Sequence, residues 1–174
     1  LAVLLCLPHG AAPAEYGRAV RRVREATLFP CLARVPHDAL AAEAAREAEG
    51  AGADALVVAA PPVGRALRSD GGWTVGPLHS PALAPLTAQR IHEVRGAATL
   101  PIIARGGVSS LDGVRGMLAA GADALLLDSV LYVEPDAVTR LYAELAEDAA
   151  RLGATDWNAY LGVLRGPADE SSRE

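Results

Sequence analysis

The sequence predicts an α/β fold built from about five parallel strand–turn–helix units. Short apolar runs alternate five times with longer amphipathic stretches, an order that favours a parallel sheet with right-handed crossovers. The pentapeptide Gly-Ala-Asp-Ala-Leu occurs at residues 52–56 and 121–125, each time between a predicted helix and a predicted strand. A doubly wound sheet and part of a (βα)8 barrel both fit this pattern, and both place ligands at the carboxyl ends of the strands.

The composition restricts the classes of function. The 174 residues carry a formal charge of -5 and no basic stripe, which argues against nucleic acid as a partner. No apolar run approaches the roughly 20 residues that a membrane helix needs. The only cysteines, Cys6 and Cys31, lie in apolar runs and are expected to be free thiols in a reducing cytoplasm. No cluster of side chains has metal-ligand spacing, so no metal site is predicted.

The first two units follow from the apolar periodicity. A strand at residues 1–7 leads through a turn into a helix at 13–26, whose apolar residues share one face. A secretion signal is the alternative reading of the apolar start, but the run is short and no basic segment precedes it. The second unit is a strand at 29–35 and a helix that ends at Gly50, with Asp38 as its expected N-cap.

The other units keep the same order, with one long interruption. A strand at 52–60 is followed by a loop at 61–81, and loops of that length are usually functional or disordered. The remaining predicted elements are strands within 100–105 and 121–129 and helices at 83–95, 110–120, 135–152 and 156–164. Residues 1–153 form the expected barrel-type domain, and 154–174 a short helix and a polar tail that frays at 168–174.

A two-glycine turn separates the fourth strand from its helix. Gly106 and Gly107 follow two β-branched residues that suit a buried parallel strand. Glycines let the backbone approach a ligand closely or adopt positive φ. Ser109 or Ser110 is expected to cap the helix, whose first amides then form a weak anion site.

Three segments carry a family resemblance. Residues 76–86 read GPLHSPALAPL, residues 100–110 read LPIIARGGVSS, and residues 121–132 form the last strand and its turn. In order and spacing they resemble the dihydroorotate dehydrogenases, the FMN-dependent barrels of pyrimidine synthesis, where the second segment reads IPIIGVGGISS. The resemblance implies strands four to eight of an eight-strand TIM barrel, with the first three strands missing from this chain.

The resemblance also implies an FMN site. Gly106, Gly107 and Val108 correspond to the turn whose amides hold the FMN phosphate. Ser129 corresponds to the Thr or Ser of the second phosphate turn, and Gly76 to the first glycine that lies along the flavin. The expected ligands are therefore FMN and a dihydropyrimidine-like small molecule.

The positions that carry chemistry in this family differ here. The turn that bears the catalytic base reads LLCLPH at residues 4–9, which places Leu7 at the base and replaces both substrate-binding asparagines. Cys6 lies one residue early, so strand alternation is expected to point it to the other side. The flavin-contacting lysine falls on Ala33, and Arg34 beside it is expected to face the wrong way.

Three side chains are weak candidates for catalysis. His9 and His37 each follow a proline at the expected mouth of the barrel, where an imidazole can act as an acid or a base. Cys6 is the third. No carboxylate is placed beside both histidines to orient them, so ordinary loop histidines are the alternative.

A charge pair is expected where the family binds phosphate. Asp128 stands where the family has a small residue before Ser129, and a carboxylate there repels a phosphate dianion. Arg105 replaces the small apolar residue that precedes the glycines on the neighbouring strand. We therefore expect Arg105 and Asp128 to form an ion pair; the alternative is an arginine that turns to solvent.

Two functions are consistent with these residues. The first is an FMN-linked oxidoreductase of the dihydroorotate dehydrogenase type, impaired in catalysis. The second is a catalytically degenerate homologue that serves as a structural or regulatory subunit without cofactor.

The partial barrel needs a partner. Five parallel strands cannot close a barrel and leave an exposed edge. The missing strands are expected from an upstream segment or a partner chain, in a cytoplasmic oligomer. Because the loop that corresponds to 61–81 covers the active site in the family, Trp73 is expected to close over a ligand or to pack against a neighbouring subunit.

Overall fold

A five-stranded parallel sheet with helices on one face forms the body of the computed structural model, which describes residues 1–166. Its first elements are β1 (Val3–Cys6), α1 (Pro13–Ala26), β2 (Cys31–Arg34), α2 (Ala41–Gly50), β3 (Ala55–Val58), β4 (Val63–Leu67) and β5 (Trp73–Pro77). The others are α3 (Ala84–Arg95), β6 (Ile102–Arg105), α4 (Leu111–Ala119), β7 (Ala124–Leu126), α5 (Ala137–Arg151) and α6 (Trp157–Arg165). The tail predicted to fray at 168–174 lies outside the described residues.

The strand order identifies which of the two predicted architectures is present. The sheet runs β1-β2-β3-β6-β7, with every pair parallel, so the strands follow one another across the sheet in chain order. A doubly wound sheet reverses its order and carries helices on both faces. The observed order is that of consecutive strands in a (βα)8 barrel, which confirms the predicted fold class.

The register assigns the side chains of the sheet to two faces. One face packs under the helices and supplies the core residues Cys31, Ala33, Leu56, Val58, Ile102 and Ala104. Strand alternation places the intervening residues Leu4, Leu32, Arg34, Ile103, Arg105 and Leu126 on the other face. Leu4 is 42% exposed there. The second face therefore corresponds to the interior of a barrel that this part of the chain leaves open.

The prediction of a long loop at 61–81 is wrong, because β4 and β5 form an antiparallel hairpin within it. The Asp70 carboxylate stabilises the hairpin turn by accepting hydrogen bonds from Arg68 at 2.6 Å and from the Gly72 amide at 2.9 Å. Trp73 is 61% exposed at the far end. The ribbon packs no apolar face into the core, so the sequence shows no alternation that would predict its strands.

One predicted helix cap is confirmed and the other is wrong. The Ser110 hydroxyl accepts a hydrogen bond from the Gly113 amide at 3.2 Å, as an N-cap of α4 does. Asp38 instead accepts from the Leu40 amide at 2.9 Å, two residues along, and Leu40 is the residue at the N-cap of α2. The side chain of Asp38 closes a local turn, which delays the start of the helix.

The aspartate of each pentapeptide copy forms hydrogen bonds with the neighbouring strand of the sheet. The Asp54 carboxylate accepts from the Cys31 amide at 2.6 Å, and the Asp54 amide donates to the Cys31 carbonyl at 2.8 Å. Asp123 makes the same two bonds with Ile102, both at 2.8 Å. Each aspartate therefore holds the first residue of the strand beside its own.

In each copy of the pentapeptide, an arginine from the last turn of a preceding helix forms an ion pair with the aspartate. Arg24 of α1 lies 2.6 Å from the Asp54 carboxylate, and Arg95 of α3 lies 2.5 Å from that of Asp123. Asp123 additionally contacts Arg165 of α6 at 2.9 Å. The second copy is therefore the more strongly connected.

We expect Asp123→Asn to lower the free energy of unfolding by about 2–3 kcal/mol and Asp54→Asn by about 1 kcal/mol. Burial acts to raise the pKa of Asp123, but the Ile102 amide and the two guanidiniums lower it below the ordinary value. The charged form is thus the one that the fold stabilises. Urea denaturation of both variants at pH 7 measures the losses, and equal losses would contradict the extra role of Arg165.

Candidate active site

The carboxyl ends of the parallel strands open into two cavities. The turn cavity, of about 290 Å³, is lined by Gly107, Val108 and Ser109 after β6 and by Ser129, Val130 and Glu134 after β7. The mouth cavity, of about 370 Å³, is lined by Leu7, His9, Tyr16, Arg34, Val63 and Arg105, among others. Val63 begins the hairpin, so the base of the hairpin forms one wall of the mouth cavity.

The predicted ion pair between Arg105 and Asp128 is confirmed. Nη2 of Arg105 lies 3.1 Å from Oδ2 of Asp128, and the two side chains are only 17% and 21% exposed. The other Asp128 oxygen accepts from the Ser129 amide at 2.5 Å, and Nδ1 of His79 lies 3.7 Å from Oδ2. Because Arg105 lines the mouth cavity and Ser129 lines the turn cavity, the pair stands between them.

The residues expected to hold FMN are brought together in part. Gly107, Val108 and Ser129 all line the turn cavity. Gly106 lies beside it with φ +106°. Gly76 lies in β5 opposite Gly64 and is not among the lining residues of either cavity.

The turn offers donors to an anion. Within residues 1–166 the amides of Gly107 and Val108 have no hydrogen-bond acceptor, and the N-terminus of α4 follows three residues later. Ser129 lines the same cavity, and its amide is already bonded to Asp128. The Gly107–Val108 side of the cavity therefore fits a phosphate group, while the lining also includes one acidic residue, Glu134, whose carboxylate is paired with Arg140.

The three candidate catalytic side chains are separated. His9 lines the mouth cavity with Nε2 3.2 Å from the Pro61 carbonyl oxygen. Nε2 of His37 lies 3.3 Å from the Thr87 hydroxyl in a small pocket beside Gly106. Burial lowers the pKa of His37 below its ordinary value, which favours the neutral imidazole.

Cys6 does not line the mouth cavity. Its exposed thiol lies 3.9 Å from the Leu4 carbonyl oxygen and is not a lining residue of the mouth cavity. The register pairs Cys6 with Arg34, so both lie on the open face of the sheet.

The expectation that Arg34 faces the wrong way is wrong. Ala33 is fully buried beneath the helices, and the alternation of β2 therefore turns Arg34 toward the mouth cavity. Tyr16 and His79 also line this cavity without having been singled out. Tyr16 lies on the apolar face of α1, where periodicity alone identifies it as a core residue.

The described residues 1–166 contain neither a metal-binding cluster nor a membrane-spanning helix. No group of three or more His, Cys, Asp or Glu side chains in this range is arranged to hold a metal ion. No helix in the same range is both long and apolar enough to cross a membrane.

Comparisons with known proteins give a family. A sequence profile of the family described as Nitronate monooxygenase matches residues 21–156, more than half of the chain. Curated relatives named "Dihydroorotate dehydrogenase B (NAD(+)), catalytic subunit" include those of Exiguobacterium sibiricum, 32% identical over 145 residues, and Bacillus pumilus, 28% identical over 159 residues. These matches cover 80% and 88% of this chain but 46% and 51% of the relatives, so the chain spans about half their length.

A solved structure supports the fold. The ligand-free dihydroorotate dehydrogenase of Eimeria tenella is similar with a TM-score of 0.61 at 18% identity, covering 80% of this chain and 41% of that one. Together these matches confirm the predicted resemblance to the dihydroorotate dehydrogenases. By the profile match across residues 21–156, this chain belongs to the nitronate monooxygenase family.

Proposed function

We propose that this chain is part of an FMN-linked oxidoreductase. The observation that carries the proposal is that Gly107 and Val108, whose amides have no acceptor within residues 1–166, line a cavity of about 290 Å³ together with Ser129. These groups would hold the phosphate of FMN. The flavin, when bound, supplies two-electron redox chemistry.

We further propose that turnover of dihydroorotate by this chain is impaired. The resemblance places the family's base on Leu7 and its lysine on Ala33; Ala33 is fully buried under the helices, and the charged side chain of this strand that lines the mouth cavity is Arg34. Neither the Leu7 nor the Ala33 side chain can transfer a proton or contact a flavin through a charge. The small molecule that the mouth accepts is a dihydropyrimidine-like compound or another ligand suited to its present side chains.

The Asp128 carboxylate provides the test of FMN binding. Asp128→Asn is expected to bind FMN about 10-fold more tightly than the wild-type chain, because it removes a negative charge beside the phosphate turn and releases Arg105. Glu147→Gln removes the same charge from an exposed position on α5 and should leave FMN affinity unchanged. Titration of added FMN, followed by flavin fluorescence and by retained absorbance near 450 nm, measures both.

A second candidate function rests on the same carboxylate. Asp128 bonds the Ser129 amide and is neutralised by Arg105, so an internal ion pair stands where a phosphate would bind. This arrangement supports a structural or regulatory subunit without cofactor. Failure of both the wild-type chain and Asp128→Asn to take up FMN would favour this function over the first.

We also propose that the rest of the barrel is supplied by another chain segment or a partner subunit, in an oligomer. The support is the open face of the sheet and the absence of strand pairing beyond β1 and β7 among the described residues. Both cysteines are free, which suits a reducing, cytoplasmic location.

Sedimentation velocity of the 174-residue chain is therefore expected to show species well above 17.9 kDa. A burial-driven association hides the apolar side chains of the open face. A monodisperse monomer that unfolds cooperatively would contradict this proposal.

A further inference from the structure

The turn cavity has one acidic residue in its wall. Of the described residues that line it, only Glu134 carries a carboxylate, and Gly107, Val108 and Ser109 line the same cavity. A carboxylate without a counter-charge would repel any anion that the Gly107 and Val108 amides bind. The partner of Glu134 therefore affects whether the cavity accepts an anion.

Arg140 of α5 binds both oxygens of this carboxylate. Nε of Arg140 lies 2.5 Å from Oε1 of Glu134, and Nη2 lies 2.7 Å from Oε2. Such paired hydrogen bonds use the planar fork that an arginine has and a lysine lacks. They hold the pKa of Glu134 below its ordinary value, against the effect of burial. Glu134 is therefore ionised at neutral pH, and the guanidinium rather than a proton neutralises it.

The same guanidinium contacts the turn after β6. Nη2 of Arg140 donates to the Ser109 carbonyl oxygen at 3.1 Å, and Ser109 directly follows Val108. The remaining nitrogen, Nη1, donates to Glu144 at 2.9 Å, one helical turn further along α5. Arg140 therefore connects α5 to both chain segments that line the turn cavity, the one after β6 and the one after β7.

The backbone of Glu134 is fixed independently of Arg140. Its amide donates to the Val130 carbonyl oxygen at 2.8 Å, and its carbonyl oxygen accepts from the Ala137 amide at 3.1 Å. These bonds join Glu134 to the turn after β7 and to the first residue of α5. If Arg140 were replaced, Glu134 would keep its place in the cavity wall but its carboxylate would lose its counter-charge.

We propose that Arg140 is a positioning residue for phosphate binding in the turn cavity. Arg140 is not among the residues that line the cavity, so it acts through the carboxylate of Glu134, which it neutralises, and the carbonyl of Ser109, which it anchors. The inference rests on the proposed function, because the same cavity would hold the phosphate of FMN.

The test is isothermal titration calorimetry of the full chain with inorganic phosphate, at low ionic strength and without flavin. Arg140→Gln is expected to weaken phosphate binding about 10-fold, because the Glu134 carboxylate stays in the wall without its counter-charge. The double variant Arg140→Gln/Glu134→Gln should bind phosphate within about 3-fold of wild type, since both charges are then absent. A merely structural role of Arg140 gives no such recovery, because the second substitution restores none of the lost contacts.

Glu134→Gln alone tests the proposal without replacing Arg140. It removes the carboxylate from the wall and keeps the guanidinium, so phosphate is expected to bind at least about 3-fold more tightly than in wild type. Glu147→Gln is the matched control for this variant and Arg46→Gln for Arg140→Gln, because each removes the same charge from an exposed position. Both controls should leave phosphate affinity unchanged.

Riboflavin, which lacks the phosphate, separates an effect on the phosphate from an effect on the ring system. Fluorescence titrations with FMN and with riboflavin should show that Arg140→Gln weakens FMN binding about 10-fold and leaves riboflavin binding unchanged. A general loss of folded structure would weaken both.

The proposal and the FMN-linked function fail in different ways. Unchanged phosphate affinity in Arg140→Gln, no recovery in the double variant, or no phosphate binding by the wild-type chain would each overturn the role of Arg140. Phosphate binding that depends on Arg140, with no FMN uptake, would support this role and contradict the FMN-linked function. FMN uptake with a ratio of FMN to riboflavin affinity that Arg140→Gln leaves unchanged would do the reverse.

Discussion

Gly107→Ala is expected to lower the free energy of unfolding by about 2–4 kcal/mol. Gly107 has φ +80°, a region that L side chains rarely adopt. A Cβ at this position would lie 2.5 Å from the backbone nitrogen of Ala84, the first residue of α3. Backbone atoms of a helix cannot yield as a flexible side chain can, so both strain and overlap oppose the alanine.

Gly76→Ala is the matched control for this loss. Gly76 has no positive φ, and a Cβ there meets nothing within 4 Å. Its unfolding free energy should stay within about 1 kcal/mol of wild type. Urea denaturation of both variants measures the difference, and similar losses would show that the packing against Ala84 is not the cause.

This contact changes what the two-glycine turn indicates. The resemblance connects Gly107 with phosphate, but the fold requires a glycine here for packing alone. Gly107 by itself is therefore weak evidence for FMN binding. The amides of Gly107 and Val108 are the stronger support, because they have no acceptor within residues 1–166 and both residues line the turn cavity.

Asp148→Asn is expected to lower the free energy of unfolding by about 2–4 kcal/mol. Asp148 of α5 is only 2% exposed and accepts a hydrogen bond from the Tyr160 hydroxyl of α6 at 2.7 Å. It also pairs with Arg151, and Nε of Arg115 from α4 lies 3.5 Å away. One carboxylate therefore connects three helices, and an amide cannot replace its charge.

The matched control for Asp148→Asn is Glu147→Gln. Glu147 is the exposed neighbour of Asp148 on α5, and its substitution should change stability by less than about 0.5 kcal/mol. Urea denaturation at pH 7 compares the two. A loss no larger in Asp148→Asn than in the control would contradict the connecting role.

The pH dependence of this loss has a definite sign. Hydrogen bonds from Tyr160 and Arg151 hold the pKa of Asp148 below its ordinary value of 3.8, against the effect of burial. The stabilisation is therefore fully present above that value and is lost as pH falls through the lower folded pKa. The difference between wild type and Asp148→Asn should accordingly shrink when the denaturation is repeated near pH 3.

The Arg105–Asp128 ion pair is a part of the candidate site that could be predicted from the sequence. Both residues interrupt a pattern of small residues; Arg105 ends β6 and Asp128 follows β7, two strands whose adjacency could be inferred from chain order. Parallel strands end at the same edge of a sheet, so the two charges were expected to lie close together. The structure confirms the pair at 3.1 Å.

The face of the sheet on which Arg34 lies could not be predicted from the sequence. Its strand is four residues long, and a shift of one residue in the assumed alignment reverses which side chains face the cavity. Neither the composition nor the resemblance specifies that register. The same limit applies to the hairpin at β4 and β5, whose strands pair with each other and bury no periodic apolar face.

The sequence by itself determined the succession of the five parallel strands and their helices, and the Gly107 turn, because apolar periodicity and turn residues are local signals. It also marked the two Gly-Ala-Asp-Ala-Leu segments as structurally equivalent. Only the tertiary structure decided that Arg34 enters the mouth cavity and that Asp148 joins α4, α5 and α6. Those contacts depend on sheet register and helix packing between residues distant in the chain, which no local pattern encodes.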